Sequence, residues 1–384
     1  MIKERTSALK QDANRRSYYS AGGDVVQLPE NSEIEKCIAV DVMGGDFGPA
    51  VTIKGIDIAI KQLKKDCIPA RFILFGDMFA INNELSKYSS VRELSTIVHT
   101  NVIVTNCVNP LEALRHKDDS NLGMALNSVA CGEAHAVVSA ANTGAYITLA
   151  KIILGTLPGI DRPAIPALMP NKQGKCIVLD LGANLECSPS RLVQFALMGE
   201  VLAKALLKKC NPTVGLLNVG SEEMKGNAVV QETGHILHQI DTKTNKMDEI
   251  DRFVFHGFVE GNDIFDGVTD VIVIDGFSGN IALKAIEGSI LFLFDLIKNA
   301  ANASLWSKMV SLLMLPLLKS VKNTIDPRLY NGAVLLGLKK IAVKSHGGAD
   351  AFGFAQSICV AINMAQSNFA SDIEKRLQLI AEVQ

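Results

Sequence analysis

Glycine and short polar residues follow five apolar runs of the sequence, and they are the residues best suited to chemistry. One such segment is Ser139-Ala140-Ala141-Asn142-Thr143-Gly144-Ala145, between the apolar run 134–138 and the apolar stretch 146–154. This pattern predicts a strand, a tight turn and a helix. The first backbone N–H groups of a helix lack intrahelical partners and carry partial positive charge. The turn is therefore either an anion site or an ordinary structural turn.

The spacing within this turn excludes two common phosphate-binding loops. It has neither the G-x-G-x-x-G pattern of a dinucleotide-binding fold nor the lysine that follows the last glycine of a Walker loop. The turn therefore matches neither of these two loops.

The other four apolar runs end in the same kinds of residue. Parallel strands place their carboxyl ends at one edge of a sheet, where ligands bind. One glycine-rich end would indicate only a turn, but five polar ends favour one shared pocket. The four segments are Asp41-Val42-Met43-Gly44-Gly45-Asp46, Asp180-Leu181-Gly182-Ala183-Asn184, Asn218-Val219-Gly220-Ser221-Glu222 and Asp275-Gly276-Phe277-Ser278-Gly279-Asn280.

The elements that position these ends alternate between apolar runs and helical patterns. This alternation predicts an α/β fold with a mainly parallel sheet covered by helices on both faces. We predict an α/β domain over residues 37–384, after a flexible extension over residues 1–36. The predicted strands lie at 37–42, 71–77, 102–104, 136–138, 176–180, 214–218, 271–275 and 340–343, and the clearest helices lie at 49–65 and 191–209.

Composition favours a compact globular protein over several other classes. The 384 residues are 48% hydrophobic and 20% charged, with a formal net charge of −2, which argues against a general nucleic-acid binder. The eight cysteines form no C-x-x-C pair, so we expect reduced thiols. The first 36 residues lack the apolar core of a signal peptide, so we do not expect secretion.

Basic residues close to the predicted loops are candidates for binding an anion. Lys225 and Lys284 follow two of the strand ends, and Lys344-Ser345-His346-Gly347-Gly348 closes a further strand-like run. Most such lysines are solvated surface charges. His346 could act as a general acid, donate to phosphate or make a structural hydrogen bond.

An apolar stretch over residues 290–325 needs a separate explanation. Its uncharged part from Met309 to Leu318 is shorter than the ~20 residues that a spanning helix requires, and Pro316 is expected to interrupt it. We therefore do not predict a membrane span. Three alternatives remain: a core or dimer-packing helix, an interfacial amphipathic segment with Trp306, or a groove for an acyl chain.

The segment from Ile38 to Pro49 resembles the opening signature of the bacterial phosphate acyltransferases, the acyl-ACP:phosphate acyltransferase family of phospholipid synthesis. The resemblance covers roughly residues 37–365. Two departures are Ala141, where the family usually has glycine, and the extension 1–36. Further segments similar to the family are 139–145, 155–164, 180–184, 225–226, 275–280 with 283–284, 330–333, 335–337 and 344–347.

This resemblance implies both a fold and a reaction. The implied fold is the three-layer fold of the isocitrate and isopropylmalate dehydrogenases and the phosphotransacetylases, with a helical excursion around 290–325. The implied protein is a cytoplasmic homodimer that converts acyl-ACP and inorganic phosphate to acyl phosphate and free ACP, without a metal or cofactor. It would contact the membrane peripherally through residues 290–325. A downstream glycerol-3-phosphate acyltransferase would use the acyl phosphate that it makes.

The residues are compatible with this chemistry. Phosphate is already an anionic nucleophile. A thiol with a pKa of about 8.5 is a good leaving group from a thioester, so no covalent enzyme nucleophile is required. The protein must hold phosphate beside the thioester and stabilise an oxyanion with fixed donors. We assign phosphate binding to Asn142, Thr143 and Gly144 together with Lys284 or Lys344.

Other residues would orient the substrate or the loops. Asn184, Asn218 and Asn280 are expected to position substrate or donate to the oxyanion, whereas Asp41 and Asp46 would order the glycine loop between them. The predicted catalytic residues are Lys284, Lys344, His346 and Asn184. The predicted substrate-binding residues are Asp41, Gly44, Gly45, Asp46, Ser139, Asn142, Thr143, Gly144, Asn218, Lys225, Asp275, Ser278 and Asn280.

Three other functions compete with this hypothesis. A short-chain phosphotransacetylase would use coenzyme A on the same fold. A metal- and NAD-dependent dehydrogenase is disfavoured because the sequence has no convincing acidic metal cluster or nicotinamide fingerprint. A non-catalytic scaffold would bind ACP and membrane without consuming the thioester.

Overall fold

The computed structural model describes residues 35–105, 108–245 and 252–383. Nearly all of the predicted extension 1–36 lies outside these ranges, although the first strand already begins at Lys36. In chain order the strands are β1 (Lys36–Asp41), β2 (Ala70–Gly76), β3 (Ser95–His99), β4 (Ala136–Ser139), β5 (Pro166–Asn171), β6 (Gly174–Leu179), β7 (Thr213–Leu217), β8 (Val254–Val259), β9 (Val271–Val273), β10 (Ala333–Val334) and β11 (Ile341–Lys344).

The helices fill the intervals between most of these strands. A short 3-10 helix at Pro327–Tyr330 precedes β10. The α-helices are α1 (Gly48–Lys65), α2 (Met78–Leu85), α3 (Ser89–Glu93), α4 (Pro110–Arg115), α5 (Asn121–Ala130), α6 (Thr143–Leu154), α7 (Pro189–Leu207), α8 (Ala228–Thr244), α9 (Asp263–Asp266), α10 (Gly276–Asn302), α11 (Leu305–Ile325), α12 (Ala351–Ala365) and α13 (Phe369–Val383).

The described strands form two sheets. The first has the order β10-β11-β4-β1-β2-β3, and the second has the order β5-β6-β9-β7-β8. Both are parallel apart from one edge strand each, β10 and β5, which run antiparallel to their neighbours. The α/β prediction is therefore confirmed, but the strands that we predicted for one sheet are divided between two.

Helices cover both faces of each sheet, which explains the continuous apolar sequence of the central strands. On one face of the first sheet, α1 and α12 pack against Ile38 and Val40, and α5 and α6 pack on the other face against Ala39. The largest core also contains Leu179 of the second sheet and Phe195 of α7. The two sheets thus share one hydrophobic core.

The sequence located some elements and missed others. The predicted strand at 102–104 is wrong, because Val102 forms only an isolated bridge to Ser120 and β3 is the edge strand instead. We did not predict β5, which contains Pro166 and Pro170. Its position at a sheet edge explains how the prolines are tolerated.

The predicted helical excursion is a hairpin of two long helices, α10 and α11, that pack against each other. The expected interruption at Pro316 is wrong, because α11 continues through this residue. Pro316 is exposed, so water can satisfy the carbonyl that loses its partner one turn earlier. Across the described ranges, no helix is both long and apolar enough to cross a membrane.

The first turn of α10 lies against the end of β6. A Cβ atom at Gly279 would overlap the backbone carbonyl oxygen of Asp180, whereas a Cβ atom at Gly288 of the same helix would meet nothing within 4 Å. The two glycines therefore provide a matched pair with the same helical backbone and different surroundings.

We expect Gly279→Ala to lower the free energy of unfolding by about 1–3 kcal/mol, because α10 must move away from β6. Gly288→Ala should raise the free energy of unfolding by up to about 1 kcal/mol through helix propensity alone. Urea unfolding followed by circular dichroism measures both changes. Equal effects at the two positions would contradict the close approach of α10 to β6.

Candidate active site

The carboxyl ends of β1, β4 and β11 are adjacent in the first sheet. Val40 of β1 pairs with Val138 of β4, and Ser139 of β4 pairs with Lys344 of β11. The loops after these three strands form a polar group that we call the first cluster. Its members among the predicted site residues are Asp41, Gly44, Gly45, Asp46, Ser139, Asn142, Thr143, Gly144, Lys344 and His346.

Asp41 lies at the centre of the first cluster and is fully buried. Its carboxylate accepts hydrogen bonds from Asn121 Nδ2 at 2.5 Å, Ser139 Oγ at 2.6 Å and the backbone N–H groups of Met43 and Gly44 at 3.2 and 3.1 Å. Burial raises the pKa of Asp41, and these four donors oppose that rise. The side chain is thus held as an acceptor that joins three segments of the chain.

The glycine loop after β1 folds tightly around this carboxylate. A Cβ atom at Gly44 would overlap Asp41 Oδ2 and lie 2.9 Å from the backbone nitrogen of Ala141. The N–H of Asp46 donates to the carbonyl of Gly347 at 2.9 Å, which ties the loop to the turn after β11. This arrangement agrees with the predicted role of Asp41 in ordering the loop.

Lys344 is the buried cation of the first cluster, with 9% of the residue exposed. Its ammonium group donates to the backbone carbonyls of Ser345 and Ala140, the latter at 3.4 Å. Burial lowers the pKa of Lys344 to about 8, while the charges of Asp41 and Asp46 oppose this shift. The side chain therefore remains mostly protonated at pH 7.

The start of α6 opens to solvent beside these groups. Asn142 caps the helix, with its Oδ1 accepting from the N–H of Ala145 at 3.1 Å, and Thr143 and Gly144 are exposed. Ala141 is buried, and its N–H donates to Ser139 Oγ at 3.0 Å. The turn therefore accommodates alanine at position 141.

His346 lies on the rim of the first cluster. It is exposed and lines a small cavity together with Gly45, Phe47 and Ala140. Its ring Nδ1 accepts from the N–H of Gly348 at 3.1 Å, so the neutral ring carries its proton on Nε2.

The ends of β6 and β9 form a second cluster around Asp180. This buried carboxylate accepts from the backbone N–H of Ile165 at 2.8 Å and of Asn184 at 2.7 Å, and from Asn184 Nδ2 at 3.0 Å. Asn184 Nδ2 also donates to the carbonyl of Pro163 at 3.0 Å. Both N–H bonds of this amide are engaged, which disfavours the predicted donation to an oxyanion.

The remaining candidates around the second sheet are more exposed. Asp275 caps α10 by accepting from the N–H of Ser278 at 2.9 Å, and both Ser278 and Asn280 are exposed. Asn218 Nδ2 donates to the carbonyl of Lys225 at 3.0 Å and stabilises the loop after β7. These contacts are sufficient to shape loops, and the substrate role of these residues stays a prediction.

The three candidate lysines differ in their surroundings. Lys225 and Lys284 are exposed and form ion pairs with Glu222 and Glu287, both at 2.7 Å. Exposed pairs of this kind contribute little and are common on protein surfaces. Lys344 is the one of the three that is buried among strand ends.

The strand ends that we predicted for one pocket belong to two sheets, and their sharing of one pocket stays a prediction. The connection between the sheets runs through residues 155–165, where Leu157 and Ala164 bond to residues 337 and 336 and Ile165 bonds to Asp180. Strand and helix alternation is the same in both sheets, so the sequence pattern could not separate the two sets of strand ends.

Two residues that organise the first cluster were not predicted as site residues. Asn121 bonds to Asp41 from the start of α5 and accepts from the N–H of Val104 at 2.8 Å. Asn331 contacts the turn after Lys344. Asn331 lies within the segment 330–333 that resembles the phosphate acyltransferases, so this resemblance could have identified it as a site residue. No sequence feature that we used pointed to Asn121.

Solved structures with this architecture identify the class of fold. The EutD phosphotransacetylase from Staphylococcus aureus superimposes with a TM-score of 0.54 at 14% identity, covering 86% of this chain and 94% of that chain. A phosphotransacetylase from Streptococcus pyogenes gives a TM-score of 0.53 at 17% identity, with the same two coverages. The chain therefore has the phosphotransacetylase-like fold that we predicted.

Sequence relatives identify the family within this class. Residues 37–372 match the family described as Fatty acid synthesis protein. A Phosphate acyltransferase from Rhodospirillum centenum is 44% identical over 341 residues, covering 89% of this chain and 92% of the relative. One from Chromobacterium violaceum is 44% identical over 341 residues, covering 88% and 94%. The chain belongs to this family of phosphate acyltransferases, and the predicted resemblance is confirmed.

We expect Asp41→Asn to lower the free energy of unfolding by about 2 kcal/mol or more, since an amide N–H₂ would face donors that now bond to a carboxylate. Urea unfolding measures the change. Asp77→Asn is the matched control, because Asp77 follows β2 and only caps α2 through the N–H of Phe79. The control should change stability by less than about 0.5 kcal/mol. Equal losses would contradict the central position of Asp41.

Proposed function

We propose that this chain transfers a fatty acyl group from acyl carrier protein to inorganic phosphate and releases acyl phosphate and free carrier protein. The main support is the first cluster, where the buried ammonium group of Lys344 lies at the strand ends beside the open start of α6. Family membership supports acyl transfer to phosphate. That the acyl donor is acyl carrier protein is a further inference of this proposal.

In the proposed reaction, a phosphate oxygen attacks the thioester carbon. The new C–O bond forms, the C–S bond breaks, and its electron pair leaves with the sulfur as the carrier thiolate, which takes a proton from solvent. Phosphate is already anionic and a thiolate leaves readily, so the protein mainly has to align the two substrates. It must also stabilise the negative oxygen of the tetrahedral intermediate.

The first cluster supplies the phosphate site in this mechanism. The N–H groups of Thr143 and Gly144 at the start of α6 provide donors and partial positive charge, and Lys344 provides a full charge. His346 donates through Nε2 when its ring is neutral. We favour Lys344 over Lys284 for this role because Lys344 is buried at the strand ends of the first cluster, whereas Lys284 is exposed on α10.

The nearest alternative is a short-chain phosphotransacetylase that uses coenzyme A. The solved structures favour it only through their shared fold. The same cluster would serve both reactions, since phosphate and a thioester react in each. The alternatives differ in the thiol carrier and in the length of the acyl chain.

The experiment mixes the purified protein with palmitoyl-ACP, with and without inorganic phosphate, and measures free ACP thiol and acyl phosphate. We expect both products in equal amounts and only when phosphate is present. Turnover with acetyl-coenzyme A alone would support the phosphotransacetylase. Binding of ACP without turnover would support a non-catalytic scaffold.

We expect Lys344→Ala to raise the KM for phosphate about 10- to 100-fold, the effect of losing one charged hydrogen bond. The KM for acyl-ACP should change much less. The KM for phosphate of the unmodified protein should also rise as the pH increases through about 8, because the ammonium group then loses its proton. Steady-state kinetics from pH 6.5 to 9 measure both effects.

Lys172→Ala is the control for this experiment. Lys172 forms an exposed pair with Asp266 at 2.5 Å, remote in sequence from every strand end of the first cluster. It should leave both KM values and their pH dependence unchanged. Equal increases in the two KM values of Lys344→Ala would remove Lys344 from the phosphate site.

We further infer peripheral contact with the cytoplasmic side of a membrane through the hairpin of α10 and α11. Its apolar side chains are exposed, with 70% of Trp306 and 81% of Leu313 accessible, and Leu291, Phe292 and Leu293 are exposed as well. Contiguous exposed apolar residues are typical of a membrane or protein contact. The alternative is that this surface packs in a homodimer. In either case, we propose that a downstream glycerol-3-phosphate acyltransferase consumes the acyl phosphate.

The double substitution Trp306→Glu and Leu313→Glu should reduce sedimentation with anionic phospholipid vesicles at least about tenfold, because two charges oppose burial among acyl chains. Formation of acyl phosphate in solution should be retained. Phe79→Glu, at a side chain 77% exposed on α2, is the control and should sediment as the unmodified protein does. Loss of a dimer with unchanged sedimentation would support the packing alternative.

A further inference from the structure

We propose that Asn331 is a positioning residue that fixes the turn carrying Lys344 and His346 and thereby sets the affinity for phosphate. The inference rests on the proposed function and extends it to a residue outside the predicted site. Asn331 follows the 3-10 helix at Pro327–Tyr330 and approaches the first cluster from the side of α12.

Both ends of the Asn331 amide are engaged by consecutive residues of the turn. Its Nδ2 donates to Ser345 Oγ at 2.9 Å, and its Oδ1 accepts from the backbone N–H of His346 at 2.9 Å. On the other side, the N–H of Ser345 donates to the carbonyl of Ser139 at 2.8 Å. Ser345 is fully buried between these two partners. The turn is therefore held from both directions.

This turn determines where the ammonium group of Lys344 lies. The Nζ atom donates to the backbone carbonyl of Ser345, the residue held by Asn331. Loss of the Asn331 amide would leave a buried hydroxyl and a backbone N–H without their present partners. Because such groups seek new partners at the expense of the native geometry, the Ser345 carbonyl and the lysine would both shift.

Asn331 is itself fixed by rigid neighbours. Gly332 approaches α12 so closely that a Cβ atom would lie 2.8 Å from Ser357 Cα. Arg328 donates to Asp350 at 2.8 Å, and Asp350 caps α12 through the N–H of Gly353 at 2.9 Å. The amide is thus presented from a segment anchored on α12, which is what a positioning role requires.

A purely structural asparagine makes a different prediction. It would lower the stability of the protein without a selective effect on phosphate. Measurement of the KM for each substrate separates the two roles, and a double-mutant cycle with Lys344 tests whether Asn331 acts through that residue.

We expect Asn331→Ala to raise the KM for phosphate about tenfold and the KM for acyl-ACP less than about twofold. Ser345→Ala removes one of the two hydrogen bonds of Asn331 and should raise the KM for phosphate about threefold. This variant replaces Asn331→Ala in the test if Asn331→Ala does not fold. In a Lys344→Ala background, Asn331→Ala should have less than about threefold further effect on the KM for phosphate. Full additivity would overturn the proposal.

The control is Asn171→Ala in the turn between β5 and β6. Asn171 Oδ1 accepts from the N–H of Gln173 at 3.0 Å, so it also stabilises a turn, but at the opposite end of β6 from the second cluster. It should change thermal stability without changing either KM. A selective rise in the KM for phosphate in this variant, or none in Asn331→Ala, would overturn the positioning role.

Calorimetric binding of inorganic phosphate distinguishes a failure of this inference from a failure of the proposed function. If the unmodified protein binds phosphate but does not turn over acyl-ACP, the proposed function fails while the role of Asn331 is still measured by binding. Weaker phosphate binding in Asn331→Ala than in Asn171→Ala supports the inference in either case, and equal binding contradicts it.

Discussion

The buried carboxylate of Asp41 is the interaction on which the first cluster depends. Its partners come from the loop after β1, from α5 through Asn121 and from β4 through Ser139, so one side chain joins segments far apart in the chain. A buried carboxylate is costly unless it is fully hydrogen-bonded. The tight loop around this carboxylate also explains the glycine at position 44, because a Cβ atom there would overlap Asp41 Oδ2 itself.

Lys344 is the complementary charge, and its position determines what the cluster can bind. Desolvation of the ammonium group and the attraction of Asp41 and Asp46 act in opposite directions on its pKa. Its Nζ atom donates hydrogen bonds to backbone carbonyls, which do not neutralise its charge as a direct ion pair would. The start of α6 adds N–H donors without adding another side-chain charge. The two features together favour an anion such as phosphate over a neutral ligand.

The sequence predicted the parts of this site that are encoded locally. Asp41 with Gly44, and Lys344 with its glycine turn, stand directly after apolar runs, so strand ends and their polar residues could be found from pattern alone. Asn121 is 80 positions from Asp41, and its contact depends on how α5 packs on the sheet. The division into two sheets was equally inaccessible, because pairing between distant strands leaves no periodic signal.

The hairpin of α10 and α11 is connected through its own backbone to both clusters. At its beginning, the N–H of Gly276 donates to the carbonyl of Asn184 at 2.8 Å in the second cluster. At its end, α11 leads through Asp326 and the 3-10 helix to Asn331, which holds the turn of the first cluster. The hairpin therefore begins at the second cluster and returns the chain to the first. The exposed apolar surface and the strand ends are thus neighbours along the chain, although they lie on different elements of the fold.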